Sequence, residues 1–187
     1  MKLVILDRDG TINCDSDEYI KSPEEWHALP GALEAISRLN HAGYHVVIAT
    51  NQSGLGRGLM DVAAMNAIHK RMLKQLAAVG GRVDAIFYCP HAPTDGCSCR
   101  KPMPGLLDQI AERFGLDLQG IPFAGDTLND MMAAKAAGCV PHLVLTGKSE
   151  VLRGQALPAV FPADTHMHLD LNAFVDVLLK KSMEPAL

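Results

Sequence analysis

The segment that decides the fold is residues 2–11, KLVILDRDGT, in which a short apolar run ends in two aspartates and a glycine. Short continuous apolar runs are typical of strands buried on both faces of a parallel sheet. Similar runs follow along the chain, and helical patterns separate them. This alternation predicts an α/β fold, a doubly wound, Rossmann-like parallel sheet with helices on both faces.

The remaining strands and helices are predicted on the C-terminal side of this segment. The predicted strands are Lys2–Leu6, Tyr44–Ala49, Ala85–Tyr88, Ile121–Ala124 and His142–Leu145. The predicted helices are Ala32–His41, Val62–Val79, Pro104–Phe114, Leu128–Ala137 and Leu171–Lys181. Glycines follow four of the helical patterns, where a helix C-cap needs positive φ. His166 and His168 fall outside all these elements and are predicted to lie on the surface.

Composition limits the class of protein. The 187 residues, of which 48% are hydrophobic, predict a single domain over residues 1–187 with a core of its own. A net charge of −4 gives no basis for binding a nucleic acid. No apolar run is long enough to span a bilayer, and the first residues do not resemble a signal peptide. We therefore expect a cytoplasmic protein without a nucleic-acid or membrane partner. A monomer that acts on a small molecule is a separate expectation.

Asp7 and Asp9 stand where the first predicted strand gives way to a loop. One carboxylate can attack phosphorus and form an aspartyl-phosphate, and the other can protonate the leaving oxygen and then activate water. Because phosphate repels an anionic attacker, this chemistry needs Mg²⁺, which prefers oxygen ligands. Since Asp and Gly are also common turn residues, a solvated turn is the alternative interpretation.

Three later segments carry further polar residues that suit phosphate chemistry, and two of them, at Thr50 and Asp126, lie at predicted strand ends. Residues 50–54, TNQSG, suit a phosphate-binding loop or an ordinary one. Arg100 and Lys101 can balance phosphate charge, or they form a solvated basic pair. In residues 125–130, GDTLND, Asp126 can bind Mg²⁺. Asp130 can support the site from outside the metal's ligands, or it favours a helix N-terminus.

In this order the four segments resemble the four motifs of the haloacid dehalogenase superfamily, over roughly residues 2–148. The resemblance implies a phosphatase with Asp7 as nucleophile and Asp9 as general acid/base. It also implies that Asp7, Asp126 and the backbone carbonyl of Asp9 bind Mg²⁺, and that Thr50 and Lys101 bind the phosphoryl group. A dehalogenase would not need Asp9, which favours the phosphatase branch.

A second metal site is predicted downstream. Cysteine and histidine recur in the pattern Cys-x-His, a five-residue gap, and Cys-x-Cys, which comprises Cys89, His91, Cys97 and Cys99. Four such ligands with no open position indicate structural, tetrahedral Zn²⁺. Incidental thiols are the alternative, and disulfides are not expected in the cytoplasm.

This zinc loop is followed directly by Arg100-Lys101-Pro102. That arrangement resembles one branch of the superfamily, which contains sugar bisphosphate phosphatases of lipopolysaccharide-core precursor synthesis and histidinol-phosphate phosphatases. Residues 50–58 and 102–105 are closer to the sugar bisphosphate enzymes, which implies a sugar bisphosphate substrate. Two departures exist: the His91–Cys97 gap is nearer to the histidinol-phosphate enzymes, and Thr127 replaces a lysine that many members carry.

Members of the superfamily often carry a cap domain between their motifs, but the spacing here leaves no room for one. Substrate selection is therefore expected to fall to residues 13–30, residues 53–58 and the zinc loop. We predict that Arg100 anchors the distal phosphate and Lys101 serves the reacting one, because adjacent side chains of an extended segment point in opposite directions. Arg57 is a second candidate for the distal phosphate, and Asn51 is a further predicted substrate contact.

Two other functions are compatible with the sequence. The first is a histidinol-phosphate phosphatase or a nucleic-acid 3′-phosphatase, although a basic stripe for a nucleic-acid backbone is lacking. The second is a zinc-stabilised binding module whose carboxylates are structural. That module would release no phosphate from any ester in the presence of Mg²⁺.

Overall fold

The computed structural model describes residues 1–183, so the last four residues of the predicted domain range, 184–187, lie outside the described residues. Its strands are β1 (Lys2–Leu6), β2 (Tyr44–Asn51), β3 (Ala85–Cys89), β4 (Pro122–Gly125), β5 (Val140–Val144) and β6 (His166–His168). They form one sheet in the order β3-β2-β1-β4-β5-β6. All neighbouring strands are parallel. The predicted parallel sheet is confirmed.

Helices cover both faces of this sheet. They are α1 (Ala32–His41), α2 (Ser53–Gly56), α3 (Val62–Ala78), α4 (Gly105–Phe114), α5 (Leu128–Ala136) and α6 (Leu171–Met183). Residues of α1, α3 and α6 pack with Val4 and Leu6 of β1. Residues of α4 and α5 pack with Leu3 and Ile5 on the opposite face. Because successive strand side chains point to opposite faces, β1 is buried between the two helical layers.

Three local predictions were wrong. Strand β2 runs on to Asn51, so Thr50 and Asn51 are strand residues rather than loop residues. The four-residue helix α2 was missed because its sequence, SGLG, has two glycines and no helical period. The edge strand β6 was missed because it is short and polar. His168 is buried, with its ring Nε2 2.9 Å from Nδ1 of His142, because β6 pairs with β5.

Strand β1 lies where the topology changes direction, with β2 on one side and β4 on the other. Ligands bind at such switch points, beyond the carboxyl ends of the strands. Asp7 follows β1, Thr50 lies near the end of β2, and Asp126 follows β4. The fold therefore brings together the polar residues of three distant segments.

The segments that could hold a cap are occupied by elements of the core fold. Between Asp9 and Thr50 the chain forms a short 3-10 turn, α1 and most of β2. Between Thr50 and Lys101 it forms α2, α3, β3 and the Cys/His loop. Within residues 1–183 both of the segments where a cap could be inserted therefore belong to the core fold.

Candidate active site

A cleft of about 650 Å³ opens at the carboxyl edge of the sheet. Its walls come partly from the three predicted loops, which contribute Asp15, Asp17, Tyr19, Ser53, Arg57 and Pro93. Residues 127–129 and residues 148–152 also line it, and the sequence did not predict them as substrate contacts. All the predicted Mg²⁺ and phosphoryl ligands face this one cleft.

Lys101 lies at the floor of the cleft between two carboxylates. Its Nζ donates to Oδ1 of Asp7 at 2.8 Å and to the carbonyl oxygen of Ala49 at 2.8 Å. It also forms an ion pair with Oδ1 of Asp130 at 2.5 Å. Burial alone would lower the pKa of Lys101, but the charges of Asp130 and Asp7 raise it above its ordinary value. Lys101 is therefore a fixed cation directly beside Asp7.

The charge on Asp7 remains incompletely balanced. Burial, reinforced by the negative charge of Asp130, raises the pKa of Asp7 to about 7, even though Lys101 opposes the shift. A carboxylate must be ionised to act as a nucleophile. A second cation near Asp7 would favour the ionised form.

Asp126 provides the observation that tests a metal site here. Its Oδ2 accepts the backbone N–H of Lys148 at 2.8 Å, whereas its buried Oδ1 has no hydrogen-bond partner among residues 1–183. A Cβ on Gly10 or Gly147 would lie 2.2 Å from Oδ2, so both glycines are needed for the backbone to approach this carboxylate. Burial and the charges of Asp130 and Asp7 raise the pKa of Asp126 to about 9. A buried, partnerless carboxylate oxygen fits a divalent cation that prefers oxygen ligands.

Asp130 makes contacts that suit both of the roles that the sequence left open. Its Oδ2 accepts from the backbone N–H and the hydroxyl of Thr127, at 3.0 and 2.6 Å, which caps helix α5. Its Oδ1 pairs with Lys101. Asp7, Asp126 and Asp130 lie close enough together to share a metal ion. Because both Asp130 oxygens are already bonded, Asp7 and Asp126 are the better ligands.

Asp9 accepts hydrogen bonds from four donors. Its Oδ1 accepts from Nε of Arg8 at 3.0 Å and from Asn13 at 2.9 Å. Its Oδ2 accepts from Nη2 of Arg8 and from Gln52, both at 2.9 Å. Burial alone would raise the pKa of Asp9, but the charge of Arg8 and these hydrogen bonds lower it. The described state is thus an ionised carboxylate in a fixed orientation.

The end of β2 arranges the floor around Lys101. Thr50 is buried, and its hydroxyl accepts from the amide of Gln52 at 2.9 Å. The side-chain amide of Asn51 donates to the carbonyl oxygen of Lys101 and accepts its backbone N–H, both at 3.1 Å. Asn51 lines the cleft, but its amide is used to hold the backbone that carries Lys101.

Charged side chains of both signs surround the mouth of the cleft. Arg57 and Arg100 line it, and the Arg57 guanidinium lies 5.7 Å from the ring centroid of Tyr19. Lys148 pairs with Asp15 at 3.1 Å and with Asp17 at 2.9 Å, which ties residues 15–17 to the loop after β5. The mouth can therefore offer cations to a phosphate and carboxylates to hydroxyl groups.

The predicted zinc ligands converge beside this mouth. The Sγ atoms of Cys89, Cys97 and Cys99 lie 3.2–3.6 Å apart, and Nδ1 of His91 lies 3.2 Å from Sγ of Cys99. Tetrahedral Zn–S bonds of about 2.3 Å separate the sulfur atoms by roughly 3.8 Å, so the group is compatible with Zn²⁺. Nη1 of Arg100 lies 3.5 Å from the carbonyl oxygen of His91, which links this loop to the cleft.

Arg8, His69 and Lys148 also contribute to the site, although the sequence did not single them out as site residues. Of these residues, His69 is the one whose position in the sequence pattern indicates a role in the site. It shares the buried face of α3 with Met65, Ile68 and Met72, so it is a polar residue at an apolar position of the helical period. Its Nε2 lies 3.1 Å from Nη1 of Arg8.

Among the described residues, no helix is both long and apolar enough to cross a membrane.

Three features indicate the class of protein: the fold, the aspartates at the strand ends, and the lysine that lies between two carboxylates. The chain matches the haloacid dehalogenase-like hydrolase family over residues 12–138 and belongs to that family. It is therefore a hydrolase, and the resemblance noted in the sequence is confirmed.

Similar proteins narrow the class further. A relative from Bordetella bronchiseptica named D-glycero-beta-D-manno-heptose-1,7-bisphosphate 7-phosphatase is 54% identical, and the match covers 97% of this chain and 100% of the relative. A Pseudomonas aeruginosa relative of the same name is 51% identical, with 95% and 98% covered. One similar solved structure is that of the heptose bisphosphate phosphatase from B. bronchiseptica, complexed with magnesium and phosphate. It superposes on this chain with a TM-score of 0.92 at 54% identity, and the match covers 97% of this chain and 99% of that chain.

Proposed function

We propose that this protein is a Mg²⁺-dependent phosphatase that removes the 7-phosphate of D-glycero-D-manno-heptose 1,7-bisphosphate, a step in lipopolysaccharide-core precursor synthesis. One observation carries the proposal: Asp7 is held by Lys101 beside the partnerless oxygen of Asp126. A carboxylate nucleophile, a fixed cation and an oxygen atom that can bind Mg²⁺ are the parts that phosphoryl transfer to a carboxylate needs. The names of the relatives support the choice of sugar.

In the first step, a carboxylate oxygen of Asp7 attacks phosphorus. The bond from phosphorus to the sugar oxygen breaks, its electron pair goes to that oxygen, and Asp9 supplies the proton. In the second step, water attacks the aspartyl-phosphate and gives its proton to Asp9, while the bond to Asp7 breaks and its electron pair returns to the carboxylate. Mg²⁺ bound by Asp7, Asp126 and the Asp9 carbonyl would neutralise charge on the phosphoryl oxygens.

The hydrogen bonds of Asp9 constrain both steps, because Asp9 must carry a proton in the first step and take one up in the second. Two carboxylate oxygens offer about four lone-pair sites, and four donors already occupy them. Protonation of Asp9 therefore requires one donor to leave. Of the three donor residues, Gln52 lines the cleft, and its amide also contacts Thr50. A phosphoryl group that engages Thr50 would compete for this amide and allow Asp9 to take up the proton.

The phosphoryl group would lie between Thr50 and Lys101, and the far end of the substrate would extend toward the mouth. Arg100 and Arg57 are the cations there that can hold the second phosphate. Guanidinium matches phosphate in a two-pronged geometry. Asp15 and Asp17 on the other side can accept hydrogen bonds from sugar hydroxyls.

A substrate panel tests the function. Wild-type protein with Mg²⁺ should release phosphate from the heptose 1,7-bisphosphate with a higher kcat/KM than from histidinol phosphate, p-nitrophenyl phosphate or a 3′-phosphorylated oligonucleotide. Preference for histidinol phosphate would favour the alternative that the short Cys/His loop suggests. Absence of release from every substrate would favour a binding module.

Arg100→Ala should reveal whether the substrate carries a second phosphate. A charge-assisted hydrogen bond contributes about 1.5–3 kcal/mol, which corresponds to roughly 10- to 100-fold in kcat/KM. We expect a loss of about that size on the bisphosphate and a much smaller loss on p-nitrophenyl phosphate. Steady-state kinetics of both substrates measure the difference.

Arg113, in the last turn of α4, is the matched control because it lies outside the residues that line the cleft. Arg113→Ala should leave both substrates unaffected. Equal losses on both substrates for Arg100→Ala would mean that this arginine acts at the reacting phosphate, and the assignment of a distal phosphate site would be wrong.

We also propose that Cys89, His91, Cys97 and Cys99 bind structural Zn²⁺. Four-ligand zinc contributes folding free energy, so Cys97→Ser should lose the metal and lower the melting temperature. Cys139→Ser is the control, because this buried thiol lies outside the four-ligand group. It should leave the zinc content, measured by elemental analysis, at one per chain. A Cys97→Ser protein with full zinc would exclude the assigned ligand set.

The remaining expectations are that the chain is a single domain, is a monomer and works in the cytoplasm. They agree with the small-molecule substrate proposed here.

A further inference from the structure

Arg8 is a fully buried arginine that the mechanism above does not use. Its side chain is 0% exposed, and its guanidinium faces Asp9 with two nitrogen atoms and His69 with the third. Arginine stays charged in proteins and offers only donors. Nε2 of His69 must therefore be the acceptor of the Arg8 hydrogen bond, so the ring is neutral and carries its proton on Nδ1.

The surroundings of His69 agree with this assignment. Burial and the positive charge of Arg8 lower the pKa of His69 to about 4, although Asp9 opposes the shift. His69 therefore remains an acceptor throughout the neutral range. Its helix is firmly placed, because Met65, Ile68 and Met72 on the same face are buried in the core and Asp61 caps the N-terminus.

A chain of contacts thus leads from helix α3 to the carboxylate of Asp9. Arg8 donates a hydrogen bond to each oxygen of Asp9, and this pair of bonds fixes the plane of that carboxylate. Among the described side-chain contacts, His69 is the other partner of the guanidinium, so it determines how Arg8 is oriented. A carboxylate that moves a proton must be held within a narrow range of distance and angle from the reacting atoms.

We propose that His69 is a positioning residue for the reaction, which acts through Arg8 to hold Asp9 in the orientation that activates water. The proposal rests on the proposed function, since it deepens the role given to Asp9. The step concerned is hydrolysis of the aspartyl-phosphate, in which water attacks phosphorus, its proton goes to Asp9, and the electron pair of the broken bond returns to Asp7.

The two steps depend differently on Asp9, and this difference gives a specific signature. Loss of p-nitrophenolate needs little protonation because this leaving group is a weak base, whereas activation of water needs a well-placed base for every substrate. Displacement of Asp9 should therefore slow the second step on p-nitrophenyl phosphate more than the first. The aspartyl-phosphate would accumulate, so kcat and KM would fall together.

The decisive experiment compares His69→Gln with His69→Met. Glutamine places an amide oxygen near the position of Nε2, whereas methionine has a similar length and flexibility without a good acceptor. With p-nitrophenyl phosphate, His69→Met should lose about 10- to 100-fold in kcat and lower KM. The intact mass of acid-quenched protein should show that most chains carry one phosphoryl group, and peptide mapping should place it on Asp7. His69→Gln should retain kcat within a few-fold of the wild type, with little trapped intermediate.

Leu76→Ala, two turns further along α3, controls for a weakened helix, because Leu76 is buried in the core away from Arg8. It should lower the melting temperature and leave kcat and KM unchanged. If His69→Met does not fold, His69→Asn, whose shorter side chain withdraws the acceptor, replaces it with the same expected signature.

Wild-type kinetics in His69→Met would overturn the inference. A loss of kcat that His69→Gln shares, or a loss without trapped aspartyl-phosphate, would overturn it equally. If the wild type itself released no phosphate with Mg²⁺, the proposed function would fail instead, before any variant is compared.

Discussion

Asp7→Asn is expected to lower kcat by at least about 10³-fold on every phosphate ester, because the amide cannot form the acyl-phosphate and uncatalysed monoester hydrolysis is extremely slow. The fold should survive, since the amide oxygen can still accept from Lys101, which lies 2.8 Å from Oδ1 of Asp7. Phosphate-release kinetics and a thermal melt of the same preparation measure both effects.

Asp84→Asn is the matched control for this substitution. Asp84 pairs with His45 at the far end of β2, away from the cleft. The control protein should keep wild-type turnover. An Asp7→Asn protein that retained more than about a tenth of wild-type kcat would exclude covalent catalysis by Asp7.

Lys101→Ala is expected to damage both activity and stability. It leaves Asp7 and Asp130 buried without the cation that pairs with both, and breaking a buried ion pair costs about 3–5 kcal/mol. Because Lys101 would also contact the reacting phosphate, kcat/KM should fall at least about 100-fold on the bisphosphate and on p-nitrophenyl phosphate alike. Urea unfolding and kinetics on both substrates test the two parts.

Lys135→Ala is the control for this substitution, because it removes an exposed ion pair instead of a buried one. Lys135 pairs with Asp164 at 2.7 Å, but both side chains are at least half exposed. Such pairs contribute about 0–1 kcal/mol, so the control should unfold near the wild-type midpoint and keep full activity. If Lys101→Ala behaved like this control, Lys101 would not be the fixed cation of the site.

The parts of this structure that could be predicted from the sequence are those that local sequence patterns indicate. The strand before Asp7, the Gly-Asp pair at Asp126 and the spacing of Cys89 to Cys99 each combine a residue type with a position at an element's end. A parallel sheet then brings strand ends together wherever they occur in the chain. This is why Asp7 and Asp126 could be grouped before any distance was known, whereas Lys101 was added through the resemblance to the family.

Contacts that depend on tertiary packing could not be predicted in the same way. His69 lies 61 residues from Arg8, and the two meet only because α3 packs over the β1 end of the sheet. Asn51 was predicted to contact substrate, but its amide holds the backbone of Lys101, a partner 50 residues away. Strand β6 has no apolar run to mark it and forms because β5 offers an unpaired edge.

The central claim is best tested by following both phosphates of D-glycero-D-manno-heptose 1,7-bisphosphate by ³¹P NMR with wild-type protein and Mg²⁺. We expect the 7-phosphate signal to disappear as inorganic phosphate appears, while the 1-phosphate signal persists. A chelator should stop the reaction, and added Mg²⁺ should restart it. Loss of the 1-phosphate instead, or equal loss of both, would contradict the proposal that the 7-phosphate is the one that lies beside Asp7 and Lys101.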